Sequence, residues 1–201
     1  AVAVDARIRI ASPGRGADRY GHLAVHPYPS HLVKRTQLPD GTDIVIRPIR
    51  PEDAERERAF IDTLSPEAKY YRFMENLREL SPAMLARFTQ IDYDRELALI
   101  AVRMDGLDEA EQLGVSRYNI DPDGETCEFA LVVADTVRRQ GLGTRLIMDL
   151  MESARARGLR EIHGDVLSEN RKMLKLMRQL GFAVLTSPDD AGVKRVTRDL
   201  R

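Results

Sequence analysis

The spacing of hydrophobic and polar positions divides the 201-residue chain into two parts. Residues 1–40 show no helical period, and four of the ten prolines of the chain lie there. Part of the stretch over residues 2–10 alternates apolar and polar side chains, as a strand does. From residue 41 a regular pattern of strands and amphipathic helices continues to the end. The pattern therefore predicts a linker or irregular arm over 1–40 and one folded domain over 41–201.

The first half of that domain predicts a strand, three short helices and an antiparallel meander. Residues 42–49 have the composition of a strand, and residues 51–90 place apolar side chains three and four positions apart. Ser65 and Ser81 are each followed by proline, which is typical of a helix N-cap. Three apolar strands with turns between them follow over 96–102, 112–120 and 126–134.

Two longer helices and three more strands complete the domain. An apolar stripe predicts a helix after Gly141 that ends at Gly158, and a second helix over 170–180 ends at Gly181. Strands are predicted over 161–167, 182–186 and 193–200. The order β-ααα-βββ-α-β-α-ββ indicates an α/β fold with about seven strands.

Composition and charge narrow the range of partners. The chain has 31 basic and 32 acidic residues, a net charge of −1, no tryptophan and 5% aromatic residues. Nucleic acid, which binds to a positive field or to aromatic platforms, is therefore not expected as a partner. No apolar run approaches the roughly 20 residues of a membrane helix, so no membrane partner is expected. Cys127 is the single cysteine, which fits a reducing, cytoplasmic compartment.

The N-terminal part carries three of the four histidines of the chain, His22, His26 and His31. A spacing of four residues places two metal ligands on one face only when the segment is helical, and Pro27 and Pro29 disfavour a helix here. We therefore expect solvated histidines and no metal site.

The most informative segment joins the strand over 126–134 to the following helix. Its loop contains Gly141 and Gly143, preceded by Arg138 and Arg139. Glycines let the backbone approach a ligand closely, and the free N–H groups at a helix start attract anions. The loop lacks the lysine of a Walker motif and the third glycine of a dinucleotide-binding motif. The loop therefore predicts a phosphate or pyrophosphate site that is neither a Walker loop nor a dinucleotide-binding loop.

The pattern Arg138-x-x-Gly141-x-Gly143 resembles the CoA pyrophosphate loop of the GNAT N-acetyltransferase superfamily. The helix that runs from Asn170 to the pair Gly181-Phe182 is similar to a second segment of that superfamily. The resemblance implies a GNAT fold, with a mixed, mostly antiparallel sheet flanked by helices, and acetyl-CoA as cosubstrate without a metal. It also implies a set of residues that contact acetyl-CoA, namely Leu131, Val133, Arg138, Arg139, Gln140, Gly141, Leu142, Gly143, Thr144, Asn170 and Met173.

Glu128 is the candidate catalytic residue, because it is the only charged residue in the apolar strand over 127–134. A lysine amine has a pKa of about 10.4 and must lose a proton before it attacks a thioester. Partial burial on that strand would raise the pKa of Glu128 and suit it to accept this proton. Glu125, at the preceding turn, is a weaker candidate. Met177 stands where many GNAT members carry a tyrosine as general acid, so the proton donor to the thiolate stays open.

Segments outside the shared acetyltransferase core resemble the Pat-type protein lysine acetyltransferases of bacteria. They cover residues 38–53, 65–74 and 80–102, and the likeness extends over about residues 32–200. It implies transfer of acetyl to a lysine of an acyl-CoA synthetase, with Glu128 as the general base. Residues 1–10 are similar to the last strand of the ATP-grasp part of larger family members. We therefore expect a C-terminal catalytic part tethered to an acyl-CoA-synthetase-like region.

Other interpretations of the same sequence stay open. Asp92, Asp94 and Glu96 form an acidic cluster, which either orients a basic substrate or is a solvated turn. A GNAT enzyme that acetylates a small amine carries the same CoA loop. So does a domain that senses acetyl-CoA without transferring the acetyl group, although Glu128 argues against this last interpretation.

Overall fold

The computed structural model describes residues 26–75, 79–187 and 190–201, so the predictions about residues 1–10 and His22 lie outside the described residues. Within the described ranges, eight strands form one sheet and five helices lie against it. The elements in chain order are β1 (Lys34–Gln37), β2 (Asp43–Pro48), α1 (Ala54–Thr63), α2 (Pro66–Phe73), α3 (Pro82–Thr89), β3 (Glu96–Asp105), β4 (Asp108–Ile120), β5 (Thr126–Val133), α4 (Leu142–Ala156), β6 (Glu161–Leu167), α5 (Arg171–Gln179), β7 (Ala183–Thr186) and β8 (Val193–Asp199).

The sheet is mixed and open. Its strands lie in the order β1-β2-β3-β4-β5-β6-β8-β7, and each neighbouring pair is antiparallel except β5 and β6, which are parallel. The predicted α/β class is confirmed, and so is the order of three short helices, a meander and two longer helices. The single parallel pair follows from the chain path, because a helix connects β5 to β6.

The sheet has one strand more than the sequence pattern predicts. Lys34–Gln37 lies in the segment interpreted as a linker or arm, yet it pairs with β2 as an edge strand. Its four residues are polar, which is why no apolar alternation marks it. The Lys34 ammonium donates hydrogen bonds to Glu152 at 2.8 Å and to Asp149 at 2.9 Å on α4. These bonds raise the pKa of Lys34 and fix β1 to the folded domain.

Helices cover both faces of the sheet. The Ser116 hydroxyl donates to the carbonyl of Leu146 in α4, at 3.2 Å, whereas the Arg117 guanidinium donates to the carbonyl of Phe88 in α3, at 3.1 Å. Successive side chains of a strand point to opposite faces, so α4 and α3 lie on opposite sides of β4. The part of the chain that the structure describes contains no helix suited to span a membrane.

The predicted N-caps position α2 and α3. The Ser65 hydroxyl accepts a hydrogen bond from the Ala68 N–H, and the Ser81 hydroxyl accepts one from the Met84 N–H, both at 3.2 Å. Each cap satisfies a backbone donor that the first helical turn leaves without a partner. The Ser65 N–H also donates to the Asp135 carboxylate at 3.0 Å, which fixes the start of α2 to the loop between β5 and α4.

Candidate active site

The parallel pair β5 and β6 separates within the sheet. The two strands are joined by only three residue pairs, which begin at Thr126 with Glu161 and end at Glu128 with His163. Both strands continue beyond these pairs, to Val133 and Leu167 respectively. Within the described residues, the facing edges therefore carry backbone groups that have no partner in this ladder. Such an opening in a sheet is a place where an extended ligand binds between two strands.

The edge of β5 that faces this opening presents two backbone donors. The Ala134 N–H donates to the Leu113 carbonyl of β4 at 2.8 Å, directly beyond the pair of Gly114 with Val133. Successive N–H groups of a strand point to opposite edges, so those of Leu131 and Val133 point away from β4 and toward β6. These are the two residues whose backbone groups the family resemblance places beside the thioester.

Aromatic side chains fill the closed end of the opening. A Cβ atom added at Gly164 would lie 2.9 Å from Cε1 of Phe129, so the Phe129 ring requires a glycine there. The ring of Phe129 in turn packs at a tilt against Phe182, with 5.4 Å between the ring centroids. Phe182 therefore acts as a core aromatic that supports the point where β5 and β6 separate.

The predicted anion site lies at the start of α4. Gly141 precedes the helix with a φ of +77°, and Arg139 also has a positive φ, of +69°. The first hydrogen bond of the helix runs from the Arg145 N–H to the Gly141 carbonyl, at 3.0 Å. The N–H groups of Leu142, Gly143 and Thr144 precede it, and the first N–H groups of a helix are free to bind an anion. The side chains of Arg138 and Arg139 are exposed beside them.

Two predicted contact residues turn their side chains elsewhere. The Gln140 amide donates to the Asp40 carboxylate at 2.6 Å, and the Leu142 side chain is 1% exposed within the core. These residues offer a ligand only their backbone groups. The Arg138 side chain, although exposed, forms an ion pair with Asp135 of the same loop, so the guanidinium of Arg139 is the better candidate to bind an anion.

The segment from Asn170 to Phe182, the second segment similar to the superfamily, has a structural role. The Asn170 side chain accepts a hydrogen bond from the Met173 N–H at 3.1 Å and caps α5. Met173 is partly buried against the core, and Met177 is completely buried. The position at which many GNAT members carry a tyrosine therefore points into the core and supplies no proton.

The residues at this opening fit acetyl-CoA. An extended acyl chain with amide groups matches the unpaired edge of β5, and phosphates match the N–H groups and the exposed guanidinium at the start of α4. A Cβ atom at Gly143 would lie 3.5 Å from Leu131 and 3.7 Å from Leu176 of α5, so this glycine stands between β5 and α5. Close approach of a ligand to the helix start is therefore possible at this point.

Glu128 lies at the last residue pair before β5 and β6 separate. It pairs across the sheet with Asn119 of β4 on one side and with His163 of β6 on the other. The expectation that Glu128 is partly buried is wrong: its side chain is exposed, because it lies on the wall of an open cavity. Glu128 therefore lies both beside the opening between β5 and β6 and on the lining of a separate cavity.

That space is a cavity of about 210 Å³ between the helices α2 and α3 and the strands β4 and β5. The residues that line it are Arg72, Arg87, Phe88, Arg117, Asn119, Glu128, Phe129 and Ala130. The sequence pattern does not predict that Arg72, Arg117 and Asn119 lie at the site. The signal that identified Glu128, a charged residue within an apolar strand, also marks Arg117 in β4.

The cavity places buried positive charge close to Glu128. Burial lowers the pKa of Arg72 to about 10, with a further lowering by Arg117, while Glu57 and Glu128 act in the opposite direction. Burial also lowers the pKa of Arg117, which is 6% exposed. Behind both guanidiniums lies Glu57, whose pKa burial raises and whose carboxylate accepts a hydrogen bond from Gln112 at 2.5 Å.

The other candidate groups are already paired. Glu125 accepts a hydrogen bond from Arg160 at 2.6 Å, away from the cavity lining. Asp94 pairs with Arg157 and with His26, and Glu96 pairs with Arg87. Two of the three carboxylates of the acidic cluster are thus paired with arginine. In the stretches of chain that the structure covers, no group of three or more acidic, histidine or cysteine side chains is arranged to hold a metal ion.

Comparisons with known proteins identify relatives of this site and fold. The profile of the Acetyltransferase (GNAT) family matches residues 59–182. Acetyltransferase PA5475 of Pseudomonas aeruginosa is 39% identical over 155 residues, which are 77% of this chain and 82% of that protein. Acetyltransferase Pat of Mycolicibacterium smegmatis is 28% identical over 146 residues, which are 72% of this chain and 43% of that protein.

A solved structure shares most of the fold. The GNAT domain of PAT from S. lividans superposes with a TM-score of 0.77 and 31% sequence identity, over 86% of this chain and 99% of that domain. The family profile, which matches residues 59–182, includes the strands and helices on both sides of the opening, because these elements lie within residues 126–182.

Proposed function

Because the chain belongs to the acetyltransferase (GNAT) family, we propose that it transfers acetyl from acetyl-CoA to the ε-amine of a lysine on a target protein, an acyl-CoA synthetase. The observation that carries this proposal is the position of Glu128. Its exposed carboxylate lies between the opening of β5 and β6 and the cavity under α2 and α3. A base at this junction reaches an amine that enters from the cavity while the thioester lies in the cleft.

Glu128 has one chemical task, the removal of a proton from the incoming ammonium. The amine nitrogen then forms a bond to the acetyl carbonyl carbon, and the carbon–sulfur bond of the thioester breaks. A protonated lysine has no lone pair for this attack, so a positioned carboxylate raises the rate at neutral pH. The expected contribution of such a base is about 10²–10⁴-fold in rate.

The backbone of β5 has the second task. The N–H groups of Leu131 and Val133 point into the opening and are suited to donate to the carbonyl oxygen as negative charge develops on it. The N–H groups at Leu142, Gly143 and Thr144 and the guanidinium of Arg139 would hold the phosphates. Met177 is buried and apolar, so it supplies no proton to the leaving thiolate, and the donor is solvent or another group.

Acetyl transfer to a purified acyl-CoA synthetase tests the proposal, with intact mass and peptide mapping as the readout. We expect acetylation at one lysine, a loss of about 10²–10⁴-fold in kcat/KM for Glu128→Gln, and an unchanged Kd for acetyl-CoA. The residual rate of this variant should increase about tenfold per pH unit below the lysine pKa, because the free amine fraction increases.

Glu125→Gln is the matched control, since Glu125 directly precedes β5, three residues before Glu128, but pairs with Arg160 outside the cavity. Its kcat/KM should stay within about twofold of the wild type, as expected for a surface residue. Binding of acetyl-CoA without modification of the synthetase would exclude that target. Binding without transfer to any amine would favour a domain that senses acetyl-CoA.

A small amine is a second candidate acceptor, and the size of the cavity favours it. A volume of about 210 Å³ between four elements accommodates one side chain or one small molecule. A lysine side chain and a free amine of similar length would both present their nitrogen to Glu128. The same assay with free amines in place of the protein separates these two substrates.

A further inference from the structure

Two arginine side chains form one wall of the acceptor cavity. Arg72 lies in α2 and Arg117 in β4, and both guanidiniums stack on aromatic rings. Cζ of Arg117 lies 4.6 Å from the centroid of Phe88, and Cζ of Arg72 lies 5.0 Å from Phe73 and 5.9 Å from Phe88. Stacking occupies the faces of a guanidinium and leaves the N–H groups on its edges available to bind in the plane.

The hydrogen-bonding capacity of Arg117 is not used up. Its Nη2 donates to the Phe88 carbonyl at 3.1 Å, but its Nε is buried and has no acceptor among the described residues. A buried donor without a partner costs free energy, so a site of this kind normally binds a ligand or water. Arg117 lines the cavity and is more than nine-tenths buried, so a ligand in the cavity is a candidate to supply the missing acceptor.

The charge of the cavity does not suit a lone ammonium ion. Glu128 is the only carboxylate among the lining residues, against the three guanidiniums of Arg72, Arg87 and Arg117. Arg87 is paired with Glu96, which leaves two guanidiniums against one carboxylate. Glu57 lies behind them, is completely shielded from solvent and has a raised pKa, so it compensates them only in part. A lysine that enters this field alone is repelled, whereas an acceptor that also carries a negative group is attracted.

The next pair on the same face of the sheet, Asn119 with Glu128, can bind the amine. Asn119 is the cross-strand partner of Glu128, so the two side chains lie next to each other on one face of the sheet. Oδ1 of Asn119 is buried and has no donor among the residues that the structure covers. An amine N–H would satisfy this oxygen while a second N–H faces Glu128. The cavity thus has an amine side and an anion side.

We propose that Arg72 and Arg117 bind a carboxylate that the acceptor carries close to its reacting amine, while Asn119 orients the amine toward Glu128. This inference rests on the proposed acetyl transfer and specifies its substrate class. The carboxylate comes from one of two sources. It belongs either to an acidic residue next to the acceptor lysine of a protein or to a small amino acid that carries its own carboxylate.

Two pairs of acceptors distinguish these sources. The first pair is a lysine peptide with glutamate beside the lysine and the same peptide with glutamine there. The second pair is 6-aminohexanoate and its amide. We expect the carboxylate form of at least one pair to have a kcat/KM about tenfold higher than its neutral form, as expected for one charge-assisted hydrogen-bonded contact. The pair that shows the preference identifies the source.

Variants then test whether the two arginines cause this preference. In Arg72→Gln the preference should disappear, so that kcat/KM for the carboxylate acceptor falls to the value that the same variant shows with the neutral acceptor. Arg117→Lys should reduce it, because lysine keeps the charge but loses the bidentate geometry. Arg87→Gln is the matched control: Arg87 lines the same cavity but pairs with Glu96, so this variant should keep the full preference.

Titration of glutarate into the complex with CoA gives a readout that needs no turnover. Wild type and Arg87→Gln should bind glutarate, and Arg72→Gln should bind it at least about tenfold more weakly. Equal use of both members of each pair by the wild type would overturn the proposal, and so would a preference that persists in Arg72→Gln. If no acceptor is acetylated, acetyl transfer fails, and the glutarate titration alone decides whether the carboxylate site exists.

Discussion

Replacing Gly143 by alanine adds one methyl group at the start of α4, where the opening meets the helix. The added Cβ would lie 3.5 Å from Leu131 and 3.7 Å from both Leu176 and Val133, which are ordinary van der Waals distances. The folded protein therefore tolerates the methyl group, and alanine favours a helix over glycine by up to about 1 kcal/mol. The melting temperature should stay the same or increase by roughly 2–4 °C.

Binding of acetyl-CoA should respond in the opposite direction. The methyl group would fill the space at Gly143 between β5 and α5, and we expect it to hold a phosphate farther from the helix N–H groups. Loss of one hydrogen bond to a charged phosphate costs about 1.5–3 kcal/mol, which is roughly a 10- to 150-fold increase in Kd. Isothermal titration of acetyl-CoA measures this Kd, and differential scanning fluorimetry without ligand measures the stability of the same samples.

Gly141→Ala is the companion variant, and we expect it to affect stability more than binding of acetyl-CoA. Gly141 has a φ of +77°, and no atom lies within 4 Å of an added Cβ. Alanine in the left-handed region costs about 1–2 kcal/mol, so this variant should melt roughly 2–8 °C lower. If Gly143→Ala binds acetyl-CoA as tightly as the wild type at an unchanged melting temperature, the assignment of the phosphate site to this helix start is wrong.

Two further predictions concern buried groups. Cys127 is fully buried, and this burial raises its pKa to about 12, with a smaller contribution from the charge of Asp121. Ellman's reagent at pH 8 should therefore label Cys127 only after denaturation. Rapid labelling of the native protein would contradict the fold of β5. Asp53 accepts two hydrogen bonds from Arg47, both at 2.7 Å. Burial favours its neutral form, but these bonds and that from the Arg50 N–H hold its pKa below the usual range. Asp53→Asn should therefore lower the free energy of unfolding by about 3–5 kcal/mol at pH 7 in urea titrations. The ionised carboxylate stabilises above the unfolded pKa of about 3.9, so the difference should shrink as pH falls through the lowered folded pKa, and a constant difference down to pH 3 would refute it.

The sequence predicts this fold well wherever an element depends on its own residues. Ser65 and Ser81 cap helices as expected, and the apolar strands of the meander lie in the centre of the sheet. The family resemblance is confirmed by the matching profile and by the GNAT domain of S. lividans PAT. The exception is β1, whose residues are polar and whose Lys34 is held by α4, which is distant in sequence.

The sequence predicts the part of the site that is formed by consecutive residues, but not the part that depends on contacts between distant residues. The loop before α4 is local, so its glycines and arginines mark an anion site without knowledge of the fold. The exposure of Glu128 is not local, because it depends on the cavity that α2 and α3 leave open beside β5. The side-chain contact of Gln140 with Asp40 joins residues 100 positions apart, and no pattern near Gln140 indicates it.

This division has a consequence for how specificity is encoded. The groups suited to acetyl-CoA come from β5, the loop and α4, which are continuous in sequence and carry the family motif. The other residues that line the cavity come from α2, α3 and β4, which are separate in sequence. Arg72 and Arg117 lie together there because both stack on Phe88. Substitutions in α2 and α3 can therefore change the acceptor while the cosubstrate site stays the same. For this reason the motif indicates the acetyl donor, whereas the identity of the acceptor has to be inferred from the charges in the cavity.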